Sequence, residues 1–574
     1  MDSFDWGETM SVISTIEASC RDCYKCVRHC PVKAIRVIHN HAEVVAERCI
    51  GDGRCVIVCP QQAKKVESGM EPVLGFLESQ SKVAVSLAPS FVAAFEGVRP
   101  GQVFAALKAM GFDYVEETAA GAEHVARKHA ELASNSGHPV IASCCPAIVK
   151  LIERYYPEKL PYLARVVSPM VAHARMLKSK YGADTKVVFI GPCIAKKEEG
   201  HHFEEVDAVL SFQELETLFE QFRLDLKRME ELPVTDHDIH LARNFPAPGG
   251  LAKTASLSTD LLAKAVISID GLDETIEFLE HFNPEENNLK LVELLACRGG
   301  CLSGPGMPGR LGLYQRRQQL LNYVEEASVS KTAEPTDKPE LGREFFPYFE
   351  DAEPTEEEIR EILSRTGKYT AEDELNCGAC GYNSCREKAV AVAKGMAEVD
   401  MCIPYMREKA ESKANVICQM TPNAIFVVDK ELRILEVNPA AELKFSCKQE
   451  KVVGAQLSTI FDPFYFNEAY VTKELITGEV SFPAYGLVAW QAIFYVEKED
   501  VIIGIFADIT REKQQRERLD RVTEETLAKA QEVIDKQMRV AQEIAGLLGE
   551  TTAETKVQLT KLMKLIQNEA GKGR

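Results

Sequence analysis

Three short segments far apart in the chain concentrate soft ligands: Ala142-Ser143-Cys144-Cys145-Pro146, Gly191-Pro192-Cys193-Ile194-Ala195-Lys196-Lys197-Glu198-Glu199, and Cys297-Arg298-Gly299-Gly300-Cys301. Four thiolates drawn together from distant loops suit a 4Fe–4S cluster, because such clusters are held by cysteine sulfur. A fifth thiol, Cys144, is then left beside it. Most of the remaining cysteines fall in tighter sets: Cys20, Cys23, Cys26 and Cys30; Cys49, Cys55 and Cys59; and Cys377, Cys380, Cys385 and Cys402. The chain has 18 cysteines, and their grouping at short spacing points to metal rather than to disulfides.

The run from Cys20 to Pro31 is spaced C-x2-C-x2-C-x3-C-P and resembles a two-cluster bacterial ferredoxin, in which the fourth cysteine of each run ligates the other cluster. The resemblance implies that Cys20, Cys23, Cys26 and Cys59 hold one 4Fe–4S cluster, while Cys30, Cys49 and Cys55 contribute to a second. The second run departs from the pattern, with Asp52 between Gly51 and Gly53 where a cysteine is expected. Three readings stay open. Asp52 is a harder, weaker ligand of a 4Fe–4S cluster, or the cluster is 3Fe–4S, or Asp52 is only a turn residue.

The elements that must position the three distant segments read as α/β. Apolar runs at 82–88 and 185–190 have the length of buried strands, and each opens into a motif loop, Ala88-Pro89-Ser90 and Gly191-Pro192-Cys193. In α/β folds chemistry gathers at such strand ends. The constellation over 79–327 resembles the active-site domain of FeFe-hydrogenases. That resemblance implies an H-cluster, a 4Fe–4S part joined to a diiron subcluster carrying CO, CN and a dithiolate. It assigns Cys145, Cys193, Cys297 and Cys301 to the 4Fe–4S part, with Cys301 bridging to the diiron part. Lys196 and Ser90 would each serve a cyanide ligand, and Cys144 would relay protons. A buried ammonium beside an anionic acceptor makes a strong charge-assisted bond, which supports the assignment of Lys196.

Several positions depart from the family. The relay serine falls at Ala164, and the usual acidic pair falls in the stretch Ala126-Arg127-Lys128-His129. Leu295, Gly191, Met170 and Ile148 replace methionines, a glutamine and an aromatic near the diiron site. The outward proton path is therefore broken, and slow turnover is expected. Glu293, four residues before Cys297, or the Glu198/Glu199 pair is a candidate substitute relay.

Beyond the third segment a polar, proline-bearing stretch, 328–355, reads as a linker. The set Cys377, Cys380, Cys385, Cys402 then has the spacing C-x2-C-x4-C-x16-C and resembles the small 4Fe–4S domain of corrinoid iron–sulfur proteins, with zinc as the structural alternative. From 411 to 512 a hairpin entering a helix at Asn438, and the ending Asp508-Ile509-Thr510, resemble a PAS domain. No histidine follows His281, which removes histidine-ligated haem from that domain, and a cofactor-free, packing-only PAS that transmits or dimerises is expected. Over 513–574 the tail is charged and helical, with Leu519, Val533, Val540 and Leu547 at multiples of seven, as in a coiled coil.

The expected organisation is thus multidomain α+β and α/β: a two-cluster ferredoxin-like domain (1–78), the H-cluster domain (79–327), the linker, a 4Fe–4S domain (356–410), a PAS domain and C-terminal helices. This order resembles sensory FeFe-hydrogenases, which implies H2 and protons as substrates, diiron-site maturation proteins, a redox partner protein such as a ferredoxin, a downstream signalling protein, and a homodimer through PAS and coil. With 574 residues, 45% apolar, no eighteen-residue apolar run and no signal-peptide pattern, the chain is expected to be cytoplasmic and off the membrane. A net charge of -20 disfavours nucleic acid. The rival reading is a non-catalytic iron–sulfur protein like the hydrogenase-related assembly factors. A third is a reductase feeding an unknown acceptor, which no flavin or nicotinamide motif supports.

Overall fold

The computed structural model describes residues 11–234, 241–257, 265–285, 289–326, 339–348, 352–547 and 556–564. The first ten residues, most of the expected linker and the end of the tail lie outside the described residues. The chain forms two compact units, Met1–Met406 and Arg407–Arg574.

In the first unit every residue of Val83–Leu87 is buried, as expected of a parallel strand covered on both faces. It lies in a four-stranded parallel sheet ordered Tyr114–Glu117, Val83–Leu87, Lys186–Gly191, Ala208–Ser211. A second parallel sheet is ordered Val266–Asp270, Leu291–Leu295, Val140–Ile141. Phe91, Phe104, Phe112, Val188, Leu210 and Phe212 belong to one core with the helices Pro100–Ala109 and Pro169–Tyr181. Ser90 and Cys193, expected at strand ends, lie just beyond the carboxyl ends of these parallel strands, and Cys144 likewise follows the strand Val140–Ile141.

The N-terminal cysteines sit in a ferredoxin-like arrangement. Two antiparallel pairs, Ile13–Thr15 with Lys64–Val66 and Ile35–Ile38 with His41–Val44, accompany the short helices Lys25–His29 and Arg54–Val58. The Cys377–Cys402 segment is built onto this domain. Tyr382, Met396 and Met401 share one apolar core with Val27, Cys30 and Val37. Val37 N donates to Met396 O at 3.0 Å, Lys33 Nζ to Gly381 O at 2.9 Å, and His39 N to Glu398 Oε1 at 2.8 Å. Gly381 has φ +95°, and a Cβ there would meet Val27 at 3.0 Å. Gly381→Val is therefore expected to weaken this seat by about 1–3 kcal/mol. Hydrogen exchange over the helix Cys385–Ala393 measures it, and unaltered protection would remove the shared-core argument.

The expected linker needs a correction over its described part. Residues 339–348 lie against the hydrogenase-like domain: Gly342 forms an antiparallel bridge with Val166, and Val167 N donates to Leu341 O at 2.9 Å. Backbone pairing and the aromatic contacts of Arg343 outweigh the polar composition that made this stretch read as solvated chain.

The second unit is a five-stranded antiparallel sheet ordered Ile434–Val437, Ala424–Asp429, Val501–Asp508, Leu487–Val496, Ile476–Phe482, the architecture expected of a PAS domain. Asn438 caps the helix Pro439–Lys444 by accepting from Ala441 N at 2.9 Å, and its amide also donates to Cys418 O and Asn423 O. A cavity of about 440 Å³ is lined by Phe461, Phe466, Phe482, Tyr485 and Gln491 among others. The helix Thr510–Leu547 leaves Leu519, Val533 and Val540 exposed. No helix among the described residues is long and apolar enough to cross a membrane.

Candidate active site

The cysteines expected in the 4Fe–4S part are delivered by three short segments. Cys145 is extended and precedes Pro146, the first residue of the helix Pro146–Tyr155. Cys193 follows the strand Lys186–Gly191, and Cys297 and Cys301 follow the strand Leu291–Leu295. Between the last two, Gly300 has φ +68° and a Cβ would fall 2.3 Å from Pro246 O. Only glycine permits that approach, which lets Cys301 N donate to Pro246 O at 2.8 Å.

The structure brings Cys145, Cys193, Cys297 and Cys301 together as electrostatic neighbours. Burial, reinforced by the neighbouring thiols, pushes Cys193 up to about 11 and Cys301 up to about 12. Such thiols ionise when iron supplies the opposing charge, so the donor set fits a cluster. Among the described residues no three His, Cys, Asp or Glu side chains converge on a single-ion site. A cubane, which takes one sulfur per corner, makes no such demand.

Cys144 lies in the field of Glu293, Lys196, Cys145 and Glu199, and burial raises its thiol well above the ordinary value. Lys196 is 8% exposed, and its Nζ donates to Glu199 Oε2 at 2.7 Å. Ser168 Oγ donates to the same oxygen at 2.9 Å. Burial opposes charge on Glu199, but Lys196, Arg343 and Ser168 together hold it below the usual carboxylate range. Ser90 is fully buried and its Oγ has no hydrogen-bond partner. A donor left unpaired in the interior costs about 1–3 kcal/mol, and an acceptor in the site would recover it. Glu293 accepts from Gly249 N at 2.7 Å and Leu251 N at 3.0 Å, while burial raises its pKa despite those bonds. Of the Glu198/Glu199 pair, Glu198 is tied to Lys150 and Arg154, so both acids are held in ion pairs.

Where the acidic pair is missing, His129 is fully buried. Its Nδ1 lies 2.8 Å from Val125 O, which leaves Nε2 to accept from Ser143 N at 3.3 Å, next to Cys144. Burial lowers it from 6.5 to about 4. The folded state thus favours neutral imidazole, so stability is complete above pH 6.5 and is lost as pH falls toward 4. The loss should reach about 3 kcal/mol. Comparing denaturation of the wild type and His129→Gln across this window checks it, and equal pH slopes would contradict it.

The N-terminal sets gather as well. Cys26 neighbours Cys20 and Cys23, and Cys55 neighbours Asp52, Cys49 and Cys30. Ala34, Gly51 and Ala63 amides approach the sulfurs of Cys30, Cys49 and Cys59 at 3.3–3.4 Å, contacts of the kind that tune cluster potentials. Asp52 is pushed up to about 6 by burial, against the opposing pull of Arg54, whose Nε lies 3.7 Å from its Oδ2. Asp52 also lies in the field of Cys297, so its set stands on the side of the third cysteine segment. Cys377, Cys380, Cys385 and Cys402 line one pocket with Lys368 and Lys388, and Lys368 Nζ lies 3.4 Å from Cys402 Sγ.

Two contributors carry no sequence signal of their own. Arg343 comes from the expected linker, and Ser168 stands before the helix Pro169–Tyr181 with nothing local to mark it. Met170, Ala164 and Leu295, the substituted positions, are buried in the same domain.

The family described as "Iron only hydrogenase large subunit, C-terminal domain" matches residues 81–305. A "4Fe-4S dicluster domain" matches 13–60, and an Fe-S cluster family matches 373–404. The NADP-reducing hydrogenase subunit HndD of Solidesulfovibrio fructosivorans is 29% identical over 361 residues, 50% of this chain and 60% of that protein. Iron hydrogenase 1 of Clostridium pasteurianum is 25% identical over 439 residues, 62% of this chain and 76% of that protein. The cytosolic Fe-S cluster assembly factor NAR1 of Encephalitozoon cuniculi is 26% identical over 188 residues, 29% of this chain and 51% of that protein. The chain spans about three fifths of the length of the first of these.

Proposed function

We propose that this chain, an iron–sulfur protein with an FeFe-hydrogenase-like large-subunit domain, catalyses slow, reversible oxidation of H2 and reports it through its C-terminal unit. The reading rests on Cys144, Lys196 and Ser90. A half-buried thiol that the cubane does not need, a buried ammonium and a buried, unpartnered hydroxyl stand beyond the ends of parallel strands. A diiron group, when bound beyond Cys301, supplies the metal centre at which H2 is split or formed.

The protein's own residues divide the remaining work. Lys196 Nζ and Ser90 Oγ offer hydrogen-bond donors to anionic ligands in a water-poor pocket. The Cys144 sulfur takes up or returns a proton at the site. Glu293, in the field of Cys144 and raised by burial, is the acid best placed to exchange that proton. Ala164 and the absence of an acid over 126–129 leave this route short of the surface, which is the physical reason for slow turnover. Electrons leave through the N-terminal cysteine sets or the Cys377–Cys402 set, and a ferredoxin-like carrier is a suitable acceptor.

In this reading the PAS-like unit and the heptad stripe on Thr510–Leu547 pass the redox state to another protein, with a second copy pairing along the stripe. The many reduced thiols suit a cytoplasmic setting. If H2 leaves hydrogen exchange over 424–508 unchanged in matured protein, the signalling half fails. Similarity to NAR1 favours a second reading, a non-catalytic iron–sulfur protein without a diiron group. Infrared spectroscopy after maturation separates the two. Bands from iron-bound CO and CN support the hydrogenase reading, and their absence overturns it.

A further inference from the structure

Residues 339–348 form a strap across the hydrogenase-like domain, outside the stretch 81–305 that the family match covers. Besides the Gly342 bridge to Val166, Arg175 Nη1 donates to Glu340 O at 2.6 Å, and Tyr348 N donates to Glu153 O at 3.0 Å. The Arg154 guanidinium stands 4.4 Å over the Tyr348 ring. From the middle of this strap Arg343 turns inward. Its guanidinium lies 4.8 Å from the Phe345 ring and 5.3 Å from the Phe203 ring, and its Nη1 donates to Glu199 Oε1 at 3.0 Å.

Glu199 is the acid that also holds Lys196. Its two oxygens are divided, Oε1 to Arg343 and Oε2 to Lys196 and Ser168. A buried lysine paired with a carboxylate that is otherwise free would be drawn wholly into that pair, and the carboxylate could rotate to chelate it. Arg343 occupies the second oxygen, fixes the carboxylate plane and competes for its charge, so the ammonium keeps donors and positive charge for another acceptor. Glu153, the other acid in the field of Arg343, is tied to the strap's own backbone through Phe346 and Tyr348.

We infer that Arg343 is a positioning residue that aims Lys196 into the site through Glu199, delivered by a strap from outside the hydrogenase-like fold. The inference rests on the function proposed above for Lys196, and its test separates the two. In unmatured protein, Arg343→Gln should speed hydrogen exchange about tenfold over both 341–348 and the helix Ala195–His201, and Arg343→Lys should restore most of the protection. In matured protein, Arg343→Gln should shift the cyanide infrared bands while the CO bands persist, and Arg343→Lys should return them toward the wild-type positions. Exchange confined to the strap, or cyanide bands unmoved in Arg343→Gln, overturns the inference. A matured wild type without CO and CN bands ends the hydrogenase reading, and the coupling of strap to helix is then decided by the exchange arm.

Discussion

Cys144→Ala is expected to lower H2 turnover by about 10²–10⁴-fold, the range for losing one positioned acid–base group, while iron content stays that of the wild type. The expectation follows from the position of the thiol. It is adjacent in sequence to Cys145, so it is held beside the cluster without being needed by it, and it shares its surroundings with Lys196 and Glu293. Two other neighbours are poor substitutes: Glu199 is held as an anion by two cations, and His129, one residue away through Ser143, resists protonation until about pH 4. Hydrogen–deuterium scrambling on matured protein, with iron quantified alongside, is the measurement. Turnover within tenfold of wild type would remove Cys144 from the proton route and leave it a packed thiol.

Arg243→Met is expected to destabilise the hydrogenase-like domain by about 3–5 kcal/mol, because it strands a buried carboxylate. Glu117 closes the strand Tyr114–Glu117 and has no exposed surface. Arg243 Nε reaches both of its oxygens at 3.1 Å, and the guanidinium stacks 4.6 Å from the Tyr323 ring. Removing both charges together should recover most of the loss, since the pair's own desolvation cost disappears with it. Urea denaturation read by hydrogen exchange over Tyr114–Glu117 isolates this domain in a multidomain chain. A double variant, Glu117→Leu with Arg243→Met, no more stable than the single one would show that the cost is packing around Tyr323.

What could be read from the sequence was what depends on spacing and local period. The strands Val83–Leu87 and Lys186–Gly191 are largely apolar runs because both faces are covered, and Ser90 and Cys193 stand at their ends because motif and strand are contiguous. The hairpin and the Asn438 cap of the second unit were legible for the same reason. Arg343 was not. It lies among prolines and acids whose composition says solvated chain, and its role depends on a carboxylate 144 positions earlier. His129 was legible only as the loss of an acid, because nothing in Ala126-Arg127-Lys128-His129 tells that the ring faces the Ser143 amide. The seat of the Cys377–Cys402 segment was equally hidden, since a core shared between segments so far apart leaves no periodicity in either.

That shared core bears on how the protein is made. Arg28 and Ala379, whose contact helps close it, are 351 positions apart, so the ferredoxin-like domain is synthesised well before the segment that completes its core. Until residues 381–401 arrive, Val27, Val37 and the wall around Cys30 face solvent. The ferredoxin-like domain is therefore open during synthesis on the side where the later segment will settle, which gives iron delivery a period of access before that segment covers it. This closure joins segments far apart in the unit and brings the long loop-closing step, slow by topology, to the stage after the hydrogenase-like domain has formed.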